Sequence, residues 1–462
     1  VTSAAPPAPK LNALSYFGYA AGDAANNLTF SMASLFLLLY YTDVVGLSAA
    51  AVGTLFLVVR AWDALADVVA GRIVDKTQTR WGKFRPFILF GSIPLLLLAV
   101  ALFSVPDLSP SGRLAYAYIS YALFGSAYSL VNIPYGSLAA AMTQLPDQRA
   151  KLATVRVLGT NLSILTLVFV VSPQIKGSSD LQRSLTLITL ALVVVGFALY
   201  LFTFLTAREQ VKRAAGTISL RDVAGMVRVN RPLLVLCLSS LVFLTGWFCL
   251  QTVGVYYARD VLGDATFFGP ITLVQTVAGL VAALLVPYLV GTIGKKTAYI
   301  AFGTVAAAGG LGVALAPSSI PAVAISFFAV FGLGLGVVST LMWALEADTV
   351  EYGEWKSGVR AEGAIYSVFS FTRKLGQAVG GAAAAYTIGF GGYVAAGEQQ
   401  TSSAITAIKV AAGVIPSALI LLAIAAMVAY PLSERRFREI AREIVSRRVP
   451  PSALHHRVGV SR

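Results

Sequence analysis

The sequence predicts an all-α membrane protein, with twelve transmembrane helices in two halves of six. Three observations carry this. The chain of 462 residues is 57% hydrophobic and only 12% charged, about half of the roughly 25% charge that soluble domains carry. Apolar runs recur along its whole length, each near the ~20 residues that cross a hydrocarbon layer. The basic residues gather in alternate connections between those runs. Lipid offers no water to unpaired backbone, so spans must be helices or a closed barrel. Runs of this length without period-two alternation are helices.

The runs begin near Leu14, Ser48, Pro86, Leu114, Thr154, Ser184, Leu233, Phe267, Thr297, Pro321, Gly363 and Ile405. The first already carries Asp23, Asn26 and Asn27, which the core of a cleavable signal would not hold, so no cleaved leader is expected. Connections after even-numbered runs contain "DKTQTRWGKFRP", "DQRAKLATVR", "REQVKRAAG", "GKK" and "EWKSGVR". Those after odd-numbered runs hold only Arg113, Lys176, Arg183, Arg259 and Lys409. The positive-inside rule places the even connections and both termini in the cytoplasm, with a bacterial inner membrane as the expected setting. The net charge of +14 is then a topology signal. Nucleic-acid binding would need a soluble basic face and is not expected.

The longest connection, 207–232, separates halves 1–206 and 233–432, and a tail follows over 433–462. Weak internal similarity supports the division: Arg149-Ala150-Lys151 after the fourth run matches Arg360-Ala361-Glu362 after the tenth. Six-helix repeats with basic turns after their second helix are how major facilitator transporters are built, with the substrate site near the midplane between halves. In the tail, Phe437, Ile440, Ile444 and Val445 share one face. That stripe suits either a helix lying on the inner membrane surface or a solvated terminal helix.

The functional candidates are charges where charge is expensive. In "VVRAWDALADVVAG", Arg60, Asp63 and Asp67 stand at i, i+3 and i+7 and share a helix face. One acid suffices for an ion pair with Arg60. The second leaves a negative surplus suited to Na⁺ or a shared proton. Asp23, Asn26 and Asn27 form a polar patch that could equally be glue between helices. In "SAYSLVNIPYGSL", Ser129 and Asn132 precede Pro134, which suits a substrate wall or plain packing. In "FSFTRKLGQ", Arg373 and Lys374 stand at or near membrane depth, as an anion-binding element, as partners for the acids of the second span, or as bases that both snorkel to the inner surface. In "MWALEADTVEYGEW", Glu346, Asp348, Glu351 and Glu354 gather at the expected cytoplasmic end. Glu346, Asp348 and Glu351 could form an inner gate with Arg80, Arg149 and Lys151, or the acids could equally be a solvated edge. Cys237 and Cys249 read as packing residues. The only histidines, His455 and His456, lie in the tail. No nucleophile, metal cluster or histidine base stands at membrane depth, so neither an enzyme nor a resident cofactor is expected. A channel would need rings of like residues around a pore, which scattered charges do not make.

The stretch "YYTDVVGLSAAAVGTLFLVVRAWDALADVVAGRIVDKTQTRWGKFRPFILFG" resembles the glycoside–pentoside–hexuronide:cation symporters, a branch of the major facilitator superfamily. "SLVNIPYGSLAAAMTQ", "MWALEADTVEYGE" and "FSFTRKLGQAVGG" look most like its glucuronide carriers, and the resemblance runs from about Leu14 to Ile444. It implies a cation site at Asp63, Asp67, Ser129 and Asn132. It implies a sugar site at Asp23, Asn27, Asn132, Arg156, Arg373 and Lys374. In the melibiose branch the positions of Asn27 and Asn132 are carboxylates, Gly136 replaces an aromatic, and Arg373 is an added base. These departures favour an anionic sugar such as a glucuronide over a neutral galactoside. The expected cargo is a small glycoside carried with a coupling ion, H⁺ more than Na⁺, by a single chain. The alternatives are a Na⁺-coupled carrier of a neutral glycoside or pentoside, and a lysolipid carrier on the same fold.

Overall fold

The computed structural model describes residues 11–143, 145–177, 180–210, 225, 228–358, 362–395 and 399–448. Among them run twelve long helices. They are α1 (Ala13–Leu39), α2 (Ala49–Lys76), α3 (Arg85–Leu102), α4 (Pro110–Met142), α5 (Pro146–Gly177), α6 (Leu181–Thr206), α7 (Arg231–Tyr256), α8 (Phe268–Ile293), α9 (Lys295–Leu315), α10 (Pro321–Ser357), α11 (Glu362–Phe390) and α12. The last runs as Ser402–Lys409, a π-turn over Val410–Val414, and Ile415–Val428. Ten are apolar and long enough to span a membrane on those grounds alone. The other two, α1 and α11, are the helices that carry Asp23, Asn26 and Asn27, and Arg373 and Lys374. Most of the connection 207–232, Arg360 and Ala361 of the repeat, and both histidines lie outside the described residues.

Helices begin where the sequence supplies a cap. Asn12, Ser48, Ser109, Asp180, Asn230 and Thr401 each accept a hydrogen bond from a backbone N–H of the first turn, satisfying donors that have no partner inside the helix. Pro110, Pro232 and Pro321 sit in first turns, where a missing N–H costs nothing. The basic turn after α2 is tied down from elsewhere. Glu209, just past α6, accepts from the backbone N–H groups of Lys83 (3.0 Å), Phe84 (2.7 Å) and Arg85 (3.2 Å). A carboxylate at a helix N-terminus also meets the positive end of its dipole.

The two halves repeat one packing pattern. α1 packs on α5 and α6 as α7 packs on α11 and α12. The pair α2–α4 is matched by α8–α10, and α3 against α4 and α6 by α9 against α10 and α12. Between the halves, α2 lies along α11, α5 along α8, and α1 meets α7. The central helices even end alike. "YYTDVVG" closes α1 in a π-turn over Tyr40–Val44 and "YYARDVLG" closes α7 in another over Tyr257–Val261. Each is followed by a glycine at positive φ, Gly46 at 80° and Gly263 at 84°, a conformation costly for any residue with a Cβ.

Small residues bring α11 against α7. A Cβ added at Gly376 would stand 2.8 Å from the Leu241 carbonyl oxygen, and one at Gly380 would stand 2.5 Å from that of Thr245. In lipid, such close backbone approach supplies the van der Waals contact that drives helix association. The outer wall leaves Val194, Leu284 and Tyr288 exposed, as a lipid-facing surface should.

The tail helix α13 (Glu434–Arg448) takes neither of the two places its apolar stripe suggests. Ile440 and Ile444 are buried against the second half. The Trp355 indole N–H donates to Glu443 at 2.7 Å, and Arg436 lies over the Trp355 ring. The apolar stripe finds protein, through the overhanging end of α10, before it can find lipid. Replacing Gly380 by Leu should force α7 and α11 apart. The overpacking should cost about 1–3 kcal/mol, read as a lower thermal midpoint of the purified protein in detergent.

Candidate functional site

The polar residues of α1, α2, α4, α5, α7, α10 and α11 meet in a cleft between the halves. A wide part of about 960 Å³ opens among Gly71, Ala140, Glu351 and Gly363, at the end that carries the basic turns. A deeper part of about 340 Å³ lies toward the middle of the bundle. Asn132, Arg156, Tyr366, Ser370 and Lys374 line both parts, so the two form one path. Spacing explains the convergence, since residues three, four and seven apart return to the same helix face.

On α2, Arg60 Nη1 stands 3.4 Å from Asp63 Oδ2. Asp63 Oδ1 is buried without a hydrogen bond and faces α4 at Gly125, where an added Cβ would meet it. Asp67 has two partners. The Ser129 hydroxyl donates to its Oδ1 at 2.6 Å, and the Lys374 ammonium donates to its Oδ2 from the other half. Asn132 lines the cleft beside them. The arrangement brings the proposed cation ligands Asp63, Asp67, Ser129 and Asn132 to one place, with an ammonium group on one of its two acids.

On α1, Asp23 anchors a second cluster. Arg156 Nε donates to its Oδ1 at 2.8 Å, and Asn27 Nδ2 donates to its Oδ2 at 3.0 Å. The Thr160 hydroxyl donates to the same oxygen. Asn26 points elsewhere and accepts from the Tyr200 hydroxyl at 2.8 Å, so the polar patch of α1 divides into a cleft face and a packing face.

Arg373 differs from the other bases of the cleft. Among the described residues no carboxylate pairs with it, and its Nη1 is buried without a hydrogen bond. The guanidinium lies 4.7 Å from the centre of the Trp343 ring and 5.9 Å from that of Phe369. Stacking on aromatic faces offsets part of the cost of a buried cation.

The acids of α10 take different places. Asp348 is held by Lys295 of the same half at 2.6 Å, while Glu346 and Glu351 line the wide opening. Arg80 lies over the Trp81 ring, Arg149 Nε donates to the Thr143 carbonyl oxygen at 3.0 Å, and Lys151 is exposed. Among the described residues none of these acids pairs with Arg80, Arg149 or Lys151, and the cleft is open at this end.

The opposite end is closed, by residues the sequence reading passed over. Arg259 Nη1 donates to Asp43 Oδ2 of the other half at 2.9 Å. It also binds Asp260 through two bonds of 2.9 Å. The Tyr393 hydroxyl donates to Asp43 Oδ1 at 2.7 Å. Nearby, the hydroxyls of Thr42 and Tyr256 lie 2.9 Å apart and those of Thr54 and Tyr386 2.8 Å apart. Lys176 pairs with Asp264 across the halves. Hydrogen bonding to Lys176 first, and to Thr266, holds the Asp264 carboxyl down at about 2. A depressed carboxyl contributes above its ordinary pKa near ~4 and is lost only as pH falls through its lowered value. That brace is therefore constant through the neutral range. The signal available in the sequence was the twofold appearance of Tyr-Tyr and Asp-Val near the ends of the two central helices.

The Asp43 side chain is fully buried, so removing one of its partners should be felt. Replacing Arg259 by Ala should open this end. A single cysteine placed at the buried Thr42, in a chain with Cys237 and Cys249 replaced, should then react faster with a membrane-impermeant thiol reagent from that side. Unchanged reactivity would mean that packing alone closes it.

Comparisons with known proteins give the family and the fold. The family model for MFS/sugar transport proteins matches residues 18–434. The chain is 45% identical to the glucuronide carrier protein homolog of Escherichia coli (strain K12), over 93% of this chain and 95% of that one. It is 33% identical to the isoprimeverose transporter of Lactiplantibacillus pentosus, over 85% and 83%. Among solved structures, a bacterial homolog of the human lysosomal transporter Spinster superposes with a TM-score of 0.68 at 12% identity, covering 93% of this chain and all of that one. The chain is a multi-pass membrane transporter rather than an enzyme, and it belongs to the MFS/sugar transport family of the major facilitator superfamily.

Proposed function

We propose that the chain is a symporter carrying a hexuronide, most simply a glucuronide, together with one proton by alternating access. Arg373 is the observation that carries this reading. Arg60, Arg156 and Lys374 each have an acid partner in the cleft, whereas Arg373 offers a buried guanidinium edge with none among the described residues. A substrate carboxylate would supply that partner, and a planar guanidinium can grip it through two parallel hydrogen bonds. The likeness to a glucuronide carrier homolog points the same way. Family membership alone does not choose the cargo, since the isoprimeverose transporter is a relative too.

The distribution of Lys and Arg favours the basic end as cytoplasmic, with both termini there. The cleft then opens inward and the Asp43–Arg259 network closes the outside, in a bacterial inner membrane. The whole path lies between the halves of one chain, which suits a functional monomer. A lysolipid cargo fits less well, because the cleft is lined by ion pairs and amides.

The proton assignment rests on charge. A hexuronide enters as an anion against an inside-negative potential, at about 2.3 kcal/mol per charge per 100 mV. One accompanying proton makes the step electroneutral. Asp63 and Asp67 stand one turn apart, and close carboxylates share a proton readily because they resist ionising together. Asn132 contributes an amide where a sodium site would gain from a third charge. A proton on Asp67 weakens its hold on Lys374, whose ammonium is then available beside Arg373.

Replacing Arg373 by Ala should weaken binding of a glucuronide about 10- to 100-fold, the range of a lost charge-assisted hydrogen bond. Binding of the matching glucoside should change little, and equal loss for both would remove the carboxylate assignment. The coupling ion is read separately, from uptake into proteoliposomes with pH and Na⁺ gradients imposed one at a time. Accumulation should follow the pH gradient, and Asp63→Asn or Asp67→Asn should abolish it. Uptake that follows Na⁺ alone would overturn proton coupling.

A further inference from the structure

The mechanism so far leaves one buried donor of the cleft unused. Trp247 stands near the middle of α7 and lines the deep part of the cleft. Its indole Nε1 is buried and makes no hydrogen bond. An indole N–H can only donate, and buried donors without a partner are rare because each forfeits its hydration. Gln251, one turn along the same face, lines the same space, as does Gln377, one turn from Arg373 on α11. The glycine contacts at Gly376 and Gly380 press α7 and α11 together. Trp247 and Arg373 therefore line one cavity from adjacent helices, each with a buried N–H that has no acceptor among the described residues.

The internal repeat places these residues opposite counterparts. Counting back thirteen positions from the paired aspartates Asp43 and Asp260 reaches Phe30 and Trp247, and counting back nine reaches Ser34 and Gln251. All four line the deep cleft. Each central helix thus contributes an aromatic ring and a polar side chain, at matching positions of the repeat, to the lining of one space. A ring with flat apolar faces and hydroxyls around its edge fits between two such surfaces.

We propose that Trp247 is a sugar-binding residue. Its N–H donates to one hydroxyl oxygen of the glycoside ring, with Gln251 as a second polar contact. In this way α7 reads the uncharged part of the cargo while Arg373 reads the carboxylate. The inference rests on the reading of the cargo as a hexuronide but concerns a different part of it. A packing tryptophan would need no donor, and the orphaned N–H is what distinguishes the two roles.

The test is a binding cycle on the purified full chain. Methyl glucuronide, its monodeoxy analogues and methyl glucoside are titrated against the unaltered protein, Trp247→Phe and Arg373→Ala. Trp247→Phe should weaken methyl glucuronide and methyl glucoside by the same factor, about 3- to 10-fold, whereas Arg373→Ala should act on the glucuronide selectively. One monodeoxy analogue should lose a similar factor on the unaltered protein and no further factor on Trp247→Phe. Additive losses for every analogue, or unchanged affinity in Trp247→Phe, would overturn the role of Trp247 and leave the carboxylate reading standing. Equal losses in Arg373→Ala would do the reverse. If Trp247→Phe does not accumulate, 2-naphthylalanine at position 247 keeps the fused rings without the N–H, and the same outcomes apply.

Discussion

A charge carried into hydrocarbon must find a partner, and the rest of this structure depends on how that demand is met. Lone ions at membrane depth cost several kcal/mol each. Arg60 is met by Asp63 and Arg156 by Asp23 within the first half. Lys374 and Arg259 are met by Asp67 and Asp43 of the other half. The first kind of pair holds a half together. The second kind makes joints between the halves. On the proposed alternating-access reading, the Asp43–Arg259 joint must part for the closed end to open, while the deeper Lys374–Asp67 joint need not.

The repeat gives those joints their geometry, and departures from it give them direction. The two central helices end in the same π-turn and glycine, and both turns present an aspartate to the interface. Only the second half supplies an arginine, where the first has Thr42. Arg259 serves both acids, and Tyr393 adds a hydrogen bond that the single guanidinium does not make. A symmetric arrangement would set two bases or two acids face to face. Divergence at one position converts repulsion into closure. Further in, the same helices diverge differently, with Asp23 and Asn27 on α1 and Trp247 and Gln251 on α7, so one cleft has two chemically unlike walls.

The sequence made the span-forming helices and the acids of α2 legible, because charge inside an apolar run is rare and its periodicity is plain. The partners were less legible. Neighbouring residues on a helix point about 100° apart, so "RK" in α11 could not say which base faces which wall. The structure gives Lys374 to Asp67 and leaves Arg373 to the cleft. The residues of the closed end were missed because charges near helix ends are cheap and common. Trp247, the proposed sugar contact, does not stand out because an aromatic in an apolar run looks like packing until its N–H is seen without an acceptor. The stripe of the tail helix was read correctly as apolar. An apolar face does not specify whether lipid or protein will cover it, and here the long end of α10 decided for protein.

On the proposed reading, the same bookkeeping of charge accounts for obligatory coupling. With the cleft empty, Lys374 occupies Asp67, so the carrier holds no bare carboxylate there and can reorient. With a proton alone on Asp67, the ammonium of Lys374 loses its counter-charge beside an already unpaired Arg373. Closing the cleft would then bury two uncompensated cations, at several kcal/mol each in a medium of low dielectric. That state is slow to reorient, and protons do not leak. With a hexuronide bound but no proton, Lys374 stays on Asp67 and the carboxylate has only Arg373, so the second base is withheld and binding is weak. When both are present, the carboxylate meets two bases and every charge in the cleft has a partner. Coupling then needs no gate that senses its ligands. It follows from one lysine that can serve either an acid of the protein or the acid of the cargo, but not both at once.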